Sequence, residues 1–241
     1  MCYTNAAMKT IPGHIIDRNA VPIYTTAQAA RYLGMPPDTL RAWVVGRPYQ
    51  SGGTERWSQA VITTPETTWR EHISFLNLTE AHVLSSLRSM HVSMAKIRKA
   101  MLYIKAHYKT EHPLLHDGLM TDGAHVFIEE LQHIICASEA GQLALPEVMR
   151  CYLARIKRDR HGVPRVLYPY THASTDGAPS LIAINPDILC GAPVIDGTRI
   201  STAAIFERFM AGEHPHASAA DYGVAPDAVD EAIRIESRHA A

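Results

Sequence analysis

The sequence predicts a mainly α-helical chain with small β elements, and three observations carry that expectation. Apolar residues recur at helical spacing in short blocks closed by glycine or proline. Two blocks share one pattern: A-A-R-Y-L-G-M-P-P-D-T-L-R-A-W at 29–43 and A-A-D-Y-G-V-A-P-D-A-V-D-E-A-I at 219–233. With one gap between them, both read as helix, glycine turn, Pro-Asp, helix. Strand-like stretches are few and lie beside turn signals such as Gly52-Gly53 and Asp196-Gly197.

Residues 1–22 read as irregular, with Pro12-Gly13 and Pro22 as breakers. Thr25 suits a helix N-cap because its hydroxyl can accept an orphan amide, and Gln28 completes a capping box. Ala29, Ala30 and Leu33 form that helix's buried side, and Gly34 supplies a left-handed stop. Pro37 opens the next helix, where a missing N–H costs nothing. Leu40, Trp43 and Val44 then repeat at i, i+3, i+4. The Gly-, Ser- and Thr-rich stretch 46–64 is expected as a hairpin that includes the alternating residues around Val61-Ile62.

A second helical pair is expected over 78–108, capped by Asn77 or Thr79 and broken near Ser89-Met90-His91, with Ile97, Met101 and Ile104 inward. Pro113 and Asp122-Gly123 interrupt the helical pattern, and 126–137 reads as two short strands. Pro146 starts a helix with Val148, Tyr152 and Ile156 inward, 166–170 is a strand, and 171–180 is a linker. Asp196-Gly197 then marks a hairpin, since such a turn requires positive φ. A helix over 203–211 places Ile205, Phe206, Phe209 and Met210 on one face and ends at Gly212. Two short helices follow, hinged at Tyr222-Gly223-Val224. The expected regions are 1–112, 113–173 and 174–241.

With 46% hydrophobic and 20% charged residues, the 241-residue chain has the composition of a folded protein of one large or two modest domains. Its formal net charge of −1 hides a split. Residues 1–120 carry 13 Lys and Arg against 8 Asp and Glu, a net of +5, whereas 121–241 carry 10 against 16, a net of −6. A basic front and an acidic back imply surfaces with different partners. Cys2, Cys136, Cys151 and Cys190 form no Cys-x-x-Cys pair and fit reduced cytosolic thiols better than a disulfide framework or a zinc site. Cys151 reads as a small core residue on a helix face.

No apolar run approaches the ~20 residues of a membrane span, and no export signal is visible, so a cytoplasmic protein without a membrane partner is expected. His112 with His116, and His214 with His216, lack the further ligands that zinc prefers. No nucleophile elbow, phosphate-binding loop or dinucleotide fingerprint occurs, and the carboxylates form no evident pair. Neither an enzyme nor a cofactor is expected.

The first helical pair and its hairpin resemble the winged helix-turn-helix of MerR-like and excisionase-like DNA-binding proteins. The matching residues are Tyr24-Thr25-Thr26, Ala29-Ala30, Leu33-Gly34-Met35, and Thr39-Leu40-Arg41 with Trp43. The resemblance implies that the second helix enters the major groove and the wing grips the backbone. A helix fits that groove with its N-terminal residues nearest the base edges, which turns Pro36, Asp38, Thr39, Arg41 and Ala42 toward DNA. Arg41 leads as a base or phosphate contact because its fork pairs with either. Asp38 would repel phosphate and instead favours the positive end of the helix.

Arg47, Arg56 and Arg70 lie in or near the wing, and 88–109 holds Arg88, Lys96, Arg98, Lys99, Lys105 and Lys109 without an acidic residue. Thr39, Arg41, Arg47, Arg56, Lys96, Arg98 and Lys99 are therefore the DNA-binding candidates. For Lys96 and Lys99 a solvated helix face is an equal reading. Such corners also occur in proteins that touch no nucleic acid.

The block I-N-P-D-I-L-C-G-A-P-V-I-D-G-T-R-I-S at 184–201, with the helices after it, resembles the small bacterial domain of unknown function 433, which is associated with antitoxins. Its helical corner, 217–234, carries Asp221, Asp227, Asp230 and Glu231 against one arginine, so it repels phosphate and suits a protein partner. The plainer alternative is a small core through Val224, Val229 and Ile233. Arg199 is a partner-binding candidate on the resemblance, or else pairs with Asp196 or Asp187. Gly191, Pro193 and Gly197 punctuate the backbone.

Further matches are F-L-N-L-T-E-A-H-V-L at 75–84, K-I-R-K-A-M at 96–101, H-P-L-L at 112–115 and T-D-G at 121–123. Over nearly its whole length the chain thus resembles VapB-type antitoxins that carry domain 433 behind a MerR-like helix-turn-helix. The resemblance implies a winged helix-turn-helix, a small αβ middle and a C-terminal hairpin with a helix-turn-helix-like unit. It also implies neutralisation of a PIN-domain ribonuclease toxin and repression of the shared operon. Arg234 and Arg238 are candidates to pair with the toxin's metal-binding carboxylates, against a plain reading as helix-end charges. A homodimer is expected because such operators present two half-sites, with Phe206, Phe209 and Met210 as candidates for the pairing surface. The alternative is a MerR-like regulator sensing a ligand through its C-terminal half, although that family's long dimerising helix is missing from the pattern.

Overall fold

The computed structural model describes residues 17–65, 71–89, 91–115, 151–170 and 181–240. Strand β1 (Pro22–Thr25) pairs antiparallel with β4 (His72–Ser74), joining the two ends of a front unit. Between them lie α1 (Thr26–Leu33), α2 (Pro37–Val44) and the hairpin β2 (Arg47–Ser51) and β3 (Thr54–Ser58). Thr25 and Gln28 make the full capping box, Gly34 ends α1 in the left-handed region, and Pro37 sits in the first turn of α2. Ala29, Ala30, Leu40, Trp43 and Val44 are buried, as their spacing predicts.

The wing departs from expectation. Its limbs turn at Gly52-Gly53, and Val61-Ile62 is no strand. The amides of both residues donate instead to the Trp43 carbonyl, at 2.7 and 3.0 Å, which pins the buried Ile62 into the core. Gly46, at φ 96°, lets the chain enter β2, where a Cβ would strike the Trp57 indole and the Ser58 carbonyl.

Helix α3 (Phe75–Ser89) begins three residues before the expected start. Its cap is Ser74, whose Oγ accepts the Asn77 amide at 3.2 Å while Asn77 Oδ1 accepts the Ser74 amide at 3.2 Å. Asn77 is thus the reciprocal partner in the first turn, and Thr79 donates back to the Phe75 carbonyl. Such reciprocal pairing satisfies two orphan donors at once. Phe75, Leu78, Ala81, Val83, Leu84 and Leu87 are all buried, which makes α3 the central helix of the larger core. After the expected break, α4 (Met94–Tyr108) buries Ile97, Met101 and Ile104.

The expected strands at 126–137, the helix start at Pro146 with Val148, and the linker 171–180 lie outside the described residues, as do Arg70 and His116. Helical residues continue only to 153, so Ile156 opens strand β5 (Ile156–Arg158) and not a helix face. Cys151 is exposed and not a core residue. Strand β6 (Pro164–Leu167) starts two residues before the expected position.

With β7 (Ile182–Ile184) and β8 (Pro193–Ile195) these form a four-stranded antiparallel sheet ordered β5-β6-β7-β8. The sheet crosses the expected boundary at 173: Leu167 pairs with Ile184, and both join the core beneath α1 and α3. Gly197 turns with φ 73°, but the return limb is a single bridge, Val194 to Ser201, and not a strand.

A second, smaller core holds Ile182, Ile195, Ile205, Ala228, Val229, Ala232 and Ile235. It is closed by α5 (Thr202–Met210), α6 (Pro215–Tyr222) and α7 (Pro226–Ala240), the last of them long, not short. The expected apolar face of α5 is divided. Ile205 is buried and Phe206 half-buried, while Phe209 and Met210 reach solvent.

Candidate nucleic-acid interface

Helix α2 buries Leu40, Trp43 and Val44 and turns Asp38 and Arg41 outward, with Thr39 and Ala42 half-buried beside them. The wing is exposed on both faces. Arg56 stands opposite Tyr49 across the ladder, next to the Pro48 and Trp57 pair, and Arg47 starts the hairpin. An exposed ribbon of arginine and aromatic side chains beside an exposed helix can grip a phosphate backbone while the helix reads base edges.

The candidate cations divide by what holds them. Arg41 Nε donates to Glu71 Oε1 at 2.9 Å, and Nη2 lies 2.9 Å from the same oxygen. Glu71 is itself placed by its main-chain carbonyl, which accepts the Thr26 amide at 3.0 Å. Arg98 spends its guanidinium on the strand leaving the wing, donating to Ser58 Oγ at 3.0 Å and to the carbonyls of Gln59 and Ala60. It therefore ties α4 to the wing and fixes the wing's base. Lys99 is exposed and Lys96 half-buried on α4. Sequence reasoning missed Glu71 because 30 residues separate it from Arg41.

The interior of the front unit holds two buried titratable side chains. Glu80 on α3 is fully buried and pairs with His112 Nδ1 at 2.9 Å, and burial raises its carboxyl above the usual range. His82, two residues on, packs against the Tyr152 ring, and burial brings its imidazole down to about 3, so it is neutral. Both face the core and belong to its packing. Among the described residues no three His, Cys, Asp or Glu side chains are grouped to hold a metal ion.

The C-terminal arginines occupy three different settings. Arg234 folds back onto the buried Glu231 of its own helix. Arg199 is exposed and is paired with neither expected aspartate: Asp187 lies 3.3 Å from Arg18, and Asp196 accepts the Tyr168 hydroxyl at 3.1 Å. Arg238, near the end of α7, lines a groove of about 420 Å³ with Arg31, Gly34, Met35 and Pro36 of the front corner and Tyr170 and Ile235.

The acidic domain is thus docked against the helix-turn-helix. Arg31 reaches the buried Glu236 at 3.5 Å, and Thr202 Oγ1 donates to the same carboxylate at 2.5 Å. Gly191, at φ 75°, packs where a Cβ would collide with the Tyr24 hydroxyl.

This arrangement defines a winged helix-turn-helix unit fused to a compact acidic module. Residues 22–101 match the family described as "Putative DNA-binding HTH domain", and residues 182–234 match "Protein of unknown function (DUF433)". The chain therefore carries an N-terminal helix-turn-helix domain and a C-terminal DUF433 domain. Over 230 residues it is 28% identical to the "Putative antitoxin VapB45" of Mycobacterium tuberculosis, an overlap covering 88% of this chain and 93% of that relative. It is also 26% identical to the "Uncharacterized protein Rv2308" of the same organism, over 93% of each chain. Its fold matches the crystal structure of Rv2018 from Mycobacterium tuberculosis with a TM-score of 0.65 at 24% identity, over 90% of this chain and all of that one. Among the described residues no helix is long and apolar enough to cross a membrane.

Proposed function

We propose that this protein is the antitoxin of a type II toxin–antitoxin pair, which neutralises a PIN-domain ribonuclease toxin and represses its own operon by binding DNA. The observation that carries this reading is the pairing, in one chain, of an exposed helix-and-wing surface with a docked acidic domain, in a chain similar over most of its length to a relative named as an antitoxin. The front unit acts on operator DNA through Thr39, Arg41, Arg47, Arg56 and the α4 lysines. The DUF433 domain covers the toxin. Arg199 is the best placed of the three candidate arginines for the toxin's carboxylates, since Arg234 is held by Glu231 and Arg238 faces the front corner.

The protein works in the cytoplasm as a homodimer, because one short recognition helix is a weak reader and two-fold operators mirror two-fold proteins. Phe209 and Met210 on α5, or Leu102 and Tyr103 on α4, offer exposed apolar surface for pairing. Light scattering is expected to give twice the 26.6 kDa chain mass, and a monomer mass would overturn the dimer.

Coexpression with the protein encoded beside it tests the central reading. The full chain is expected to restore growth against that toxin, and Arg199→Glu to weaken rescue while leaving operator binding intact. Point variants are the cleaner probe here, because cutting at residue 173 would strip β7 and β8 from β6 and bare Leu167. Failure of the full chain to rescue overturns the antitoxin reading.

One observation favours a second reading, a MerR-like regulator that senses a ligand. The groove between the front corner and α7 has the size of a small-molecule site and two arginines at its rim. Operator affinity that shifts with a small anionic ligand, with no effect on a neighbouring toxin, would select it.

A further inference from the structure

We infer that Glu71 is a positioning residue that fixes Arg41 to read a guanine in the major groove; this rests on the DNA-binding reading above. One carboxylate oxygen of Glu71 holds both Nε and Nη2 of Arg41, each at 2.9 Å. That contact occupies the side of the guanidinium that runs from Nε to Nη2. The end formed by Nη1 and the second Nη2 hydrogen remains turned away from Glu71, as a planar two-donor fork.

Glu71 is no free surface acid. Its main-chain carbonyl is bonded to the Thr26 amide at the start of α1, so the carboxylate is presented from the β1–β4 seam that carries α1, against which α2 packs. Arg41 lies on the outward face of α2, one turn after the Pro37 start.

A fork of two parallel donors matches one base edge best. Guanine offers O6 and N7 as two adjacent acceptors, whereas adenine sets an amino donor beside N7, thymine offers one carbonyl, and cytosine an amino donor. Holding the fork by its other side removes rotamer freedom before DNA arrives and aims both donors along one direction. A phosphate-binding role predicts the reverse arrangement, because a carboxylate next to the cation would repel the backbone that the cation is meant to attract.

Glu71 therefore lowers affinity for DNA in general and raises discrimination at one base pair. The ion pair itself is half-exposed and adds little to stability, so its value lies in orientation.

The test uses the full chain and a double-stranded DNA library with a randomised core. Selected sites are expected to share a guanine whose replacement by adenine costs roughly 5- to 150-fold in affinity, the range for one bidentate base contact. Replacement by 7-deazaguanine, which lacks the N7 acceptor, should cost part of that. Glu71→Gln is expected to bind non-selected duplex several-fold more tightly and to lose most of the discrimination at that guanine. In an Arg41→Ala background the same change should leave discrimination unaltered.

If Glu71→Gln keeps full discrimination, or if Arg41→Ala weakens all duplexes equally and lowers the salt slope, Arg41 binds phosphate and the assignment is wrong. If the full chain retains no duplex at any salt concentration, the DNA-binding reading itself fails, and this assignment with it.

Discussion

The chain contains the same helical corner twice, and only one of the two has the charge to meet DNA. Helices α1 and α6 each have eight residues, each ends at a left-handed glycine, and each is followed after three residues by a helix with proline in its first turn. Gly34 has φ 62° and ψ 37°, and Gly223 has φ 64° and ψ 35°. The closing bonds repeat as well: Met35 donates to the Ala30 carbonyl and Val224 to the Ala219 carbonyl, both at 3.0 Å. In both, the second residue beyond the helix satisfies a stranded carbonyl, which is the Schellman arrangement.

What differs is the second helix. Helix α2 shows solvent Arg41 and an adjoining wing with Arg47 and Arg56, whereas α7 shows Asp227 and Asp230 and holds its Arg234 on Glu231. The corner is a packing solution; charge on the second helix decides what it can approach.

The largest expected effect comes from Gly191, where the two units touch. Gly191→Ala places a side chain in the left-handed region, at ~1–3 kcal/mol from the backbone alone, and drives a methyl group into Tyr24. Chemical denaturation should show a loss of several kcal/mol or a split into two transitions. A single unshifted transition would mean the units are not joined there.

Acid should separate the two regions next. His82 is neutral in the folded front unit, with its pKa lowered to about 3 from 6.5, so below pH 6.5 the unfolded chain binds a proton the folded chain does not. The His82 contribution to stability should then fall by roughly 1.4 kcal/mol per pH unit between 6.5 and 3, with no such effect above 6.5. Glu80 works in the opposite sense, because burial raises its carboxyl and it takes up a proton more readily when folded. Between pH 7 and pH 5, hydrogen exchange should show the α3 amides of the unaltered chain losing more protection than those of a His82→Phe variant, which keeps only the opposing Glu80 effect.

A smaller pair of changes tests the likeness of the corners. Gly34→Ala and Gly223→Ala meet no neighbouring atom, so each should cost only backbone strain, ~1–2 kcal/mol, and by similar amounts. Thermal melts differing by more than ~1 kcal/mol would break the equivalence. Smallest of all, Arg234→Ala should change duplex affinity by less than ~0.5 kcal/mol, since that arginine is spent within α7.

Local chemistry was legible in the sequence. The Thr25 and Gln28 capping box, the Gly34 stop and the buried Leu40, Trp43 and Val44 all depend on residues within one or two turns. The true cap of α3 was hidden because Asn77 and Thr79 are cap-like residues themselves, and only the reciprocal bond with Ser74 decides between them.

The gap needed to align the two corners by letters disappears once their glycines are superposed. Contacts between distant segments were not legible. Glu71 under Arg41, the wing strand under Arg98 and Glu236 under Arg31 are products of packing, as is the sheet that carries β6 into β7 across the expected linker.

The division of labour between the corners comes down to one titration: duplex affinity against salt for the full chain, using DNA upstream of its own gene. The combined Arg41→Ala, Arg47→Ala and Arg56→Ala variant is expected to bind far more weakly, with a salt slope lower by about 0.9 for each phosphate it no longer neutralises. The Asp227→Asn, Asp230→Asn variant should bind as tightly as the unaltered chain or slightly more so. An unaltered salt slope in the front variant, together with abolished binding in the rear one, would contradict the account.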